Sequence, residues 1–209
     1  MAREGWLFLG PALAVIVLGV LVERLGAVVP GWTLVILGAL AAIAFAYFFR
    51  DPERQVPDDP DAVIATSDGK IIVVAPHSTG GTQIDTFLSV FDVHVNRAPV
   101  SGIVKVSQHR PGQFLVAYEE EAGTKNERHD LVIESPLGTI RSAQIAGILA
   151  RRIICRPKAG DILNKGDRIG MIRFGSRAEV IVPPGFVPAV KLGDRVRAGE
   201  TVLARRGNG

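Results

Sequence analysis

Hydrophobic positions fall into two regimes along the chain. Trp6 to Val22 is 17 residues without a charge, and after Glu23 and Arg24 a second uncharged run covers the 25 residues from Leu25 to Phe49. Each is about long enough, at ~1.5 Å per residue, to cross a hydrocarbon core of ~30 Å. The pattern predicts two transmembrane helices joined by a short break, a hairpin over residues 1–49. A cleaved leader is the competing reading, since Arg3 precedes the first run, but a secreted chain has no use for the second. Beyond residue 49 the period shortens. "FRDPERQVPDDPDA" carries three prolines among dense charges and reads as a linker over 50–62. After it come "AVIAT", "KIIVVAP", "GIVKVSQH", "QFLVAY", "HDLVIES", "GTIRSAQIAG", "RRIICRP" and "AEVIVP", rich in Val and Ile and bounded by Gly, Pro, Asp or Ser. Residues 63–209 should be mostly β, a sandwich or flattened barrel of short strands.

An internal echo sharpens this. "LNKGDRIGMI" at 163–172 and "KLGDRVRAGETVLA" at 191–204 share a Gly-Asp-Arg core, a tight turn feeding a strand. The second resembles the hammerhead hairpins of lipoyl and biotinyl carrier domains.

Charge adds orientation. Arg3, Arg50 and Arg54 flank the outer ends of the hairpin and Arg24 alone marks its turn, so both termini and the β domain are expected on the cytoplasmic side of the cell membrane. Trp6, Trp32 and Tyr47 stand near the ends of the runs, where interfacial aromatics collect. The hairpin balances two acids with two bases, so the net charge of +3 belongs to the rest of the chain. No Lys/Arg run is interleaved with aromatics, which excludes a nucleic-acid reading. The lone cysteine, Cys155, excludes an intramolecular disulfide and reads as a buried thiol. Neither a metal site nor a phosphate-binding loop is predicted: the four histidines lack helical zinc spacing, and "STGGT" at 78–82 lacks the lysine of a phosphate loop.

Candidate chemistry is then a serine, a histidine and an acid. "RFGSRAEV" sets Ser176 after Gly175 in a turn between two predicted strands; turn chemistry alone would account for it. "FLSVFDVHVNRAPVSG" sets His94 in a β-branched run, near the exit of a strand, and "VIATSDGKI" sets Asp68 in a turn just before one. Such a set serves a self-processing enzyme, a serine peptidase or nothing catalytic at all, as in a membrane-anchored lipoyl-like adaptor.

The ordered set "FFRDPER", "SDGKI", "VFDVHVNRAPVSG", "KNERHDLVIE", "QIAGILARRI" and "RFGSRAEV" resembles phosphatidylserine decarboxylase in its short, membrane-anchored proenzyme form, from about residue 45 to the C-terminus. The resemblance implies that the Gly175–Ser176 bond is cut by the protein itself into large and small subunits that stay together. Ser176 then becomes a covalent pyruvoyl group, a ketone that takes the amine of phosphatidylserine and accepts the electrons released with carbon dioxide, leaving phosphatidylethanolamine. It implies His94 as the base of self-cleavage and Asp68 as its acidic partner, with His94 also a candidate to return a proton during turnover. The chain departs from longer members of that family in two places. Phe174-Gly175-Ser176-Arg177 stands where they carry Leu-Gly-Ser-Thr, and Phe91 and Asp92 occupy the neighbourhood of their second histidine. Arg151 or Arg152 would be candidates for the lipid phosphate, though adjacent strand residues point to opposite faces and only one could serve.

Overall fold

The computed structural model describes residues 1–78, 80–119, 121–148, 152–172 and 175–207. The chain separates into two compact units, Met1–Pro52 and Glu53–Gly209.

In the first unit, α1 (Trp6–Arg24) and α2 (Val28–Phe48) are joined across Gly26, whose φ of +92° makes the reversal. Both are long and apolar enough to cross a membrane. They pack through small residues. Gly19 lies against the backbone of Gly31 and Val35, Gly31 against Glu23, and Gly38 against Ala12 and Ile16, so a Cβ at any of the three would collide. Close backbone approach of this kind is how helices associate where burial of apolar surface gives no driving force. Phe8 stacks on Phe49 at 5.1 Å between ring centroids, closing the open end.

The second unit is mostly β, as the pattern of short segments predicts. In chain order its strands are β1 (Ala62–Ile64), β2 (Gly69–Pro76), β3 (Thr82–Leu88), β4 (Val95–Arg97), β5 (Gly102–Arg110), β6 (Arg128–Ser135), β7 (Gly138–Ile145), β8 (Ile153–Cys155), β9 (Ile162–Leu163), β10 (Arg168–Ile172), β11 (Ser176–Val182), β12 (Phe186–Pro188), β13 (Arg195–Val196) and β14 (Val202–Arg206); one short helix, α3 (Ala122–Lys125), lies between β5 and β6. An antiparallel eight-stranded sheet runs β13-β2-β3-β11-β7-β6-β5-β9, and two three-stranded sheets, β1-β14-β12 and β4-β10-β8, complete the fold. Irregular registers at Ile71/Val73 in β2 and Val104/Val106 in β5 curl the large sheet into a half-barrel. Ile71, Ile84, Val104, Leu131, Ile133, Ile140, Val180 and Val182 fill its inner face.

Three turns share one chemistry. In Lys158–Asp161, Asn164–Asp167 and Lys191–Asp194 the fourth residue is an aspartate whose carboxylate accepts the backbone N–H of the first, at 2.8, 2.7 and 2.9 Å. The third residue is a glycine with φ between +88° and +96°. The repeated Gly-Asp of the sequence is therefore a structural device, used once more, at Gly160-Asp161, than the longer echo discloses.

Two segments differ from the sequence pattern. "QFLVAY" does not form a strand: Gln113 makes a single bridge to Asn126. The Asn126 side chain bonds the backbone of Leu115 in both directions, at 2.8 and 2.9 Å, and the Ala146 carbonyl at 2.8 Å, taking the place of a ladder. The stretch read as linker lies on the β unit from Glu53 onward. Arg54 is almost wholly buried, Val56 packs on Gly166, and Asp59 binds Arg205 at 2.9 Å.

Candidate active site

Ser176 opens β11, between β3 and β7 in the large sheet, and is fully buried. Strand side chains alternate, so Ser176, Ala178, Val180 and Val182 share the core face while Arg177, Glu179 and Ile181 share the other. The residue before it has φ +60°. That left-handed conformation costs a residue with a Cβ roughly 1–2 kcal/mol, and the space around Gly175 is otherwise open, so glycine is required there by backbone conformation. Its carbonyl oxygen lies directly against the backbone of Gly147, where no Cβ would fit. The Cβ of Ala117 crowds the same point of Gly147. The carbonyl is thus held in a slot whose floor is a glycine.

Among the described residues, the Ser176 hydroxyl has no hydrogen-bond partner. A buried polar group left in that state costs about 1–3 kcal/mol, which marks a group kept for a reason other than stability.

His94 is also fully buried. It stands at the entry of a strand, just before β4, and not near an exit as the β-branched run predicts. The cause is the turn at Ser89–Asp92, in which the Asp92 carboxylate accepts the Ser89 N–H at 2.8 Å and its hydroxyl at 2.6 Å, delaying the strand to Val95. Asp68 immediately precedes β2, as expected.

Three registers bring these residues to one end of the fold. Val95, the residue after His94, pairs with Met171, five residues before Ser176. The Ile64 N–H bonds the Pro99 carbonyl and the Arg97 N–H bonds the Thr66 carbonyl, so Thr66, two residues before Asp68, lies beside Arg97, three residues after His94. Lys70, Phe87 and Arg177 lie side by side across β2, β3 and β11, two residues from Asp68 and one from Ser176.

Asp68 is tightly held. Arg54 donates to both carboxylate oxygens at 2.9 and 2.8 Å, and the Ala198 N–H donates at 2.8 Å. Sequence reasoning missed Arg54, which it treated as a juxtamembrane charge, although "FFRDPER" carried it. It also missed Asp85. This fully buried residue on β3 accepts from Nε of Arg177 at 2.9 Å, from Nη2 of the same side chain, and from Gln83 at 2.7 Å. Burial pushes its carboxyl up to about 6 against the pull of Arg177. The Arg177 guanidinium rests on Gly123 of α3. Arg128 continues the charged layer, binding Asp130 at 2.7 Å and Glu179 at 2.6 Å. On this face, away from Ser176, a cavity of about 480 Å³ is lined by Arg110, Arg141 and members of that layer.

The other histidines, the cysteine and the candidate phosphate-binding arginines complete the inventory. His129 accepts or donates a hydrogen bond with Ser107 at 2.9 Å, and His109 pairs with Glu127 at 3.2 Å, both on β5 and β6. Burial pushes the Cys155 thiol up to about 12, the opposite of what a nucleophile needs. Arg152 is exposed; Arg151, Arg173 and Phe174 lie outside the described residues. No group of three metal-ligating side chains occurs among the described residues.

The family model for phosphatidylserine decarboxylase matches residues 41–204, a span that includes Asp68, His94, Gly175 and Ser176. The chain belongs to the phosphatidylserine decarboxylase family. It is 42% identical to a phosphatidylserine decarboxylase proenzyme of Symbiobacterium thermophilum over 98% of this chain and 95% of that one. It is 40% identical to one of Burkholderia cenocepacia over the same shares, and 46% identical to one of Pelobacter propionicus over 82% of this chain and 80% of that one. A proenzyme is made as a precursor and processed.

Proposed function

We propose that the protein is a phosphatidylserine decarboxylase that cuts its own chain between Gly175 and Ser176 and converts Ser176 into a pyruvoyl prosthetic group. Family membership supports the substrate and the reaction. The observation that carries the cut is the buried Ser176 hydroxyl, without a hydrogen-bond partner among the described residues, beside a left-handed glycine whose carbonyl oxygen lies against Gly147.

In the self-processing step His94 takes the Ser176 hydroxyl proton and the oxygen attacks the Gly175 carbonyl carbon, exchanging the amide for an ester. Asp68, immobilised by Arg54 and Ala198, holds the imidazole in the tautomer that accepts a proton. Removal of the Ser176 α-proton expels Gly175 as a carboxylate and leaves dehydroalanine. One water then replaces its nitrogen, which departs as ammonia, and the ketone remains. The residues fit this group, since position 176 is enclosed and its hydroxyl has no hydrogen-bond partner among the described residues.

When formed, the ketone supplies an electron sink for the bond to the departing carboxylate. The chain's own residues do the rest. β11 is bonded to β3 and β7 along its length, and β13 and β14 pair with β2 and β1, so the fragment 176–209 stays in the fold after the cut as the small subunit of a heterodimer. His94, the base of the self-processing step, is the candidate to return a proton to substrate carbon. The two apolar helices hold the enzyme at the cell membrane where its substrate resides. Arg54 being buried against Asp68, the orientation with the β unit in the cytoplasm rests on Arg3 and Arg50 against Arg24.

The test is release of labelled carbon dioxide from vesicles of phosphatidylserine labelled at the serine carboxyl. Wild type should release it and Ser176→Ala should remain one chain and release none. An uncut Ser176→Ala protein that still decarboxylates would refute the reading.

A further inference from the structure

The end of the sheet that carries Gly175–Ser176 is also where exposed apolar side chains gather. β3 and β7 both run antiparallel to β11, so the loops that follow them flank its first residue. After β3 come Val90 and Phe91, 37% and 70% exposed; after β7, Ile148 at 56%; and the loop beside Gly147 brings Val116 and Tyr118, at 42% and 60%. These are fixed positions. The Tyr118 ring meets Phe87 edge-to-face at 5.7 Å, and Ala117 packs on Gly147, which in turn backs the Gly175 carbonyl.

A soluble surface seldom presents so many large apolar groups around one buried reactive position. Two acids near the tips are tied to cations, Asp92 to Arg195 at 3.3 Å and Glu121 to Lys125 at 2.7 Å, which lessens their cost near lipid. We propose that Val90, Phe91, Val116, Tyr118 and Ile148 form a rim that enters the acyl-chain layer of the membrane, so that a phospholipid headgroup passes from the bilayer to Ser176 while its chains stay in hydrocarbon. The inference rests on the decarboxylase reading for the identity of the lipid. The occupant follows from two features of this chain: a reactive position enclosed by the rim, and two helices apolar enough to keep the protein at a bilayer. Exposed aromatic and aliphatic side chains of this kind suit insertion to the depth of the headgroup and acyl boundary.

The experiment uses the full chain in vesicles of phosphatidylcholine and phosphatidylglycerol whose phosphatidylcholine is brominated along its acyl chains. Trp6 and Trp32, the two tryptophans, are first replaced by Phe. In that background Phe91→Trp should be quenched strongly by the brominated lipid, and Val187→Trp, at the other end of β11 and 60% exposed, should not. Equal quenching of the two, or none at Phe91→Trp, would overturn the rim. In parallel, Phe91→Ser/Tyr118→Ser/Ile148→Ser should lose about tenfold or more in kcat/KM on long-chain phosphatidylserine vesicles relative to its loss on a dispersed short-chain serine phospholipid. Equal losses on both substrates would also overturn it. Quenching reads contact without chemistry: strong quenching of the Phe91→Trp variant, with a wild-type protein that releases no carbon dioxide, would keep the rim and sink the decarboxylase reading.

Discussion

The backbone of Gly147 supports the carbonyl oxygen of Gly175, the oxygen on which negative charge must develop if the Ser176 hydroxyl attacks. Position 147 has no need of a left-handed conformation, so alanine is forbidden there by contact alone. Gly147→Ala should displace the carbonyl and slow appearance of the two fragments by about tenfold or more, the rate effect of roughly 1.4 kcal/mol. Gly185→Ala is the control: φ is +88° but its surroundings are open, so it should cost stability and leave processing near wild type. Pulse-chase gels of the precursor check both, and normal processing of Gly147→Ala would show that the carbonyl needs no such slot.

Arg177 follows the serine, and its partner Asp85 is buried on the neighbouring strand. Arg177→Met leaves an unpaired buried acid and should destabilise the fold by about 3–5 kcal/mol, whereas Arg177→Met/Asp85→Leu should recover much of the loss. The pH dependence has a definite sign. An acid whose folded pKa is raised from 3.8 to about 6 binds its proton more tightly in the folded state, so the stability it adds is complete below about 4 and is lost as pH rises to about 6. The unfolding free energy of wild type minus that of Asp85→Asn should therefore fall across that window in denaturant titrations. A rise would mean that Arg177 outweighs burial.

Arg54 contributes both guanidinium bonds to Asp68. In the proposed mechanism His94→Ala and Asp68→Asn accumulate uncut precursor, with processing slowed on the order of 10²-fold or more, as removal of a general base does. Arg54→Ala acts one step removed and should slow it less, since the Ala198 N–H still anchors Asp68. The ordering of the three rates is the readout. Arg54→Ala processing at the wild-type rate would reduce Arg54 to a structural ion pair.

Much of this architecture was legible from periodicity. The two uncharged runs mark α1 and α2 to within a few residues, and the Val/Ile-rich segments mark β2, β5, β6, β7 and β11 because each buries at least one face, β11 both. β3 was not legible: "TQIDTFL" sets a buried aspartate mid-strand, and a local pattern cannot reveal that its partner is Arg177, 92 residues away. "QFLVAY" misleads in the other direction, because Asn126 satisfies its backbone without a ladder. Gly175, Ser176, His94 and Asp68 stand out by motif, while the slot at Gly147 and the grip of Arg54 depend on long-range packing that no spacing encodes.

Cys155 supplies an independent check on burial. With its thiol held up to about 12, little thiolate exists at pH 8, so iodoacetamide should label the folded protein far more slowly than the protein in urea. Comparable labelling in both would show that β8 opens readily.

Self-processing at Gly175–Ser176 is tested most directly by the mass of the C-terminal fragment from purified wild-type protein. The account predicts a fragment spanning 176–209 that is lighter, by the mass of one ammonia, than the same peptide with a serine amine at its start, alongside a large fragment ending in the Gly175 carboxylate. An intact chain in active preparations, or a small fragment beginning with unmodified Ser176, would contradict it.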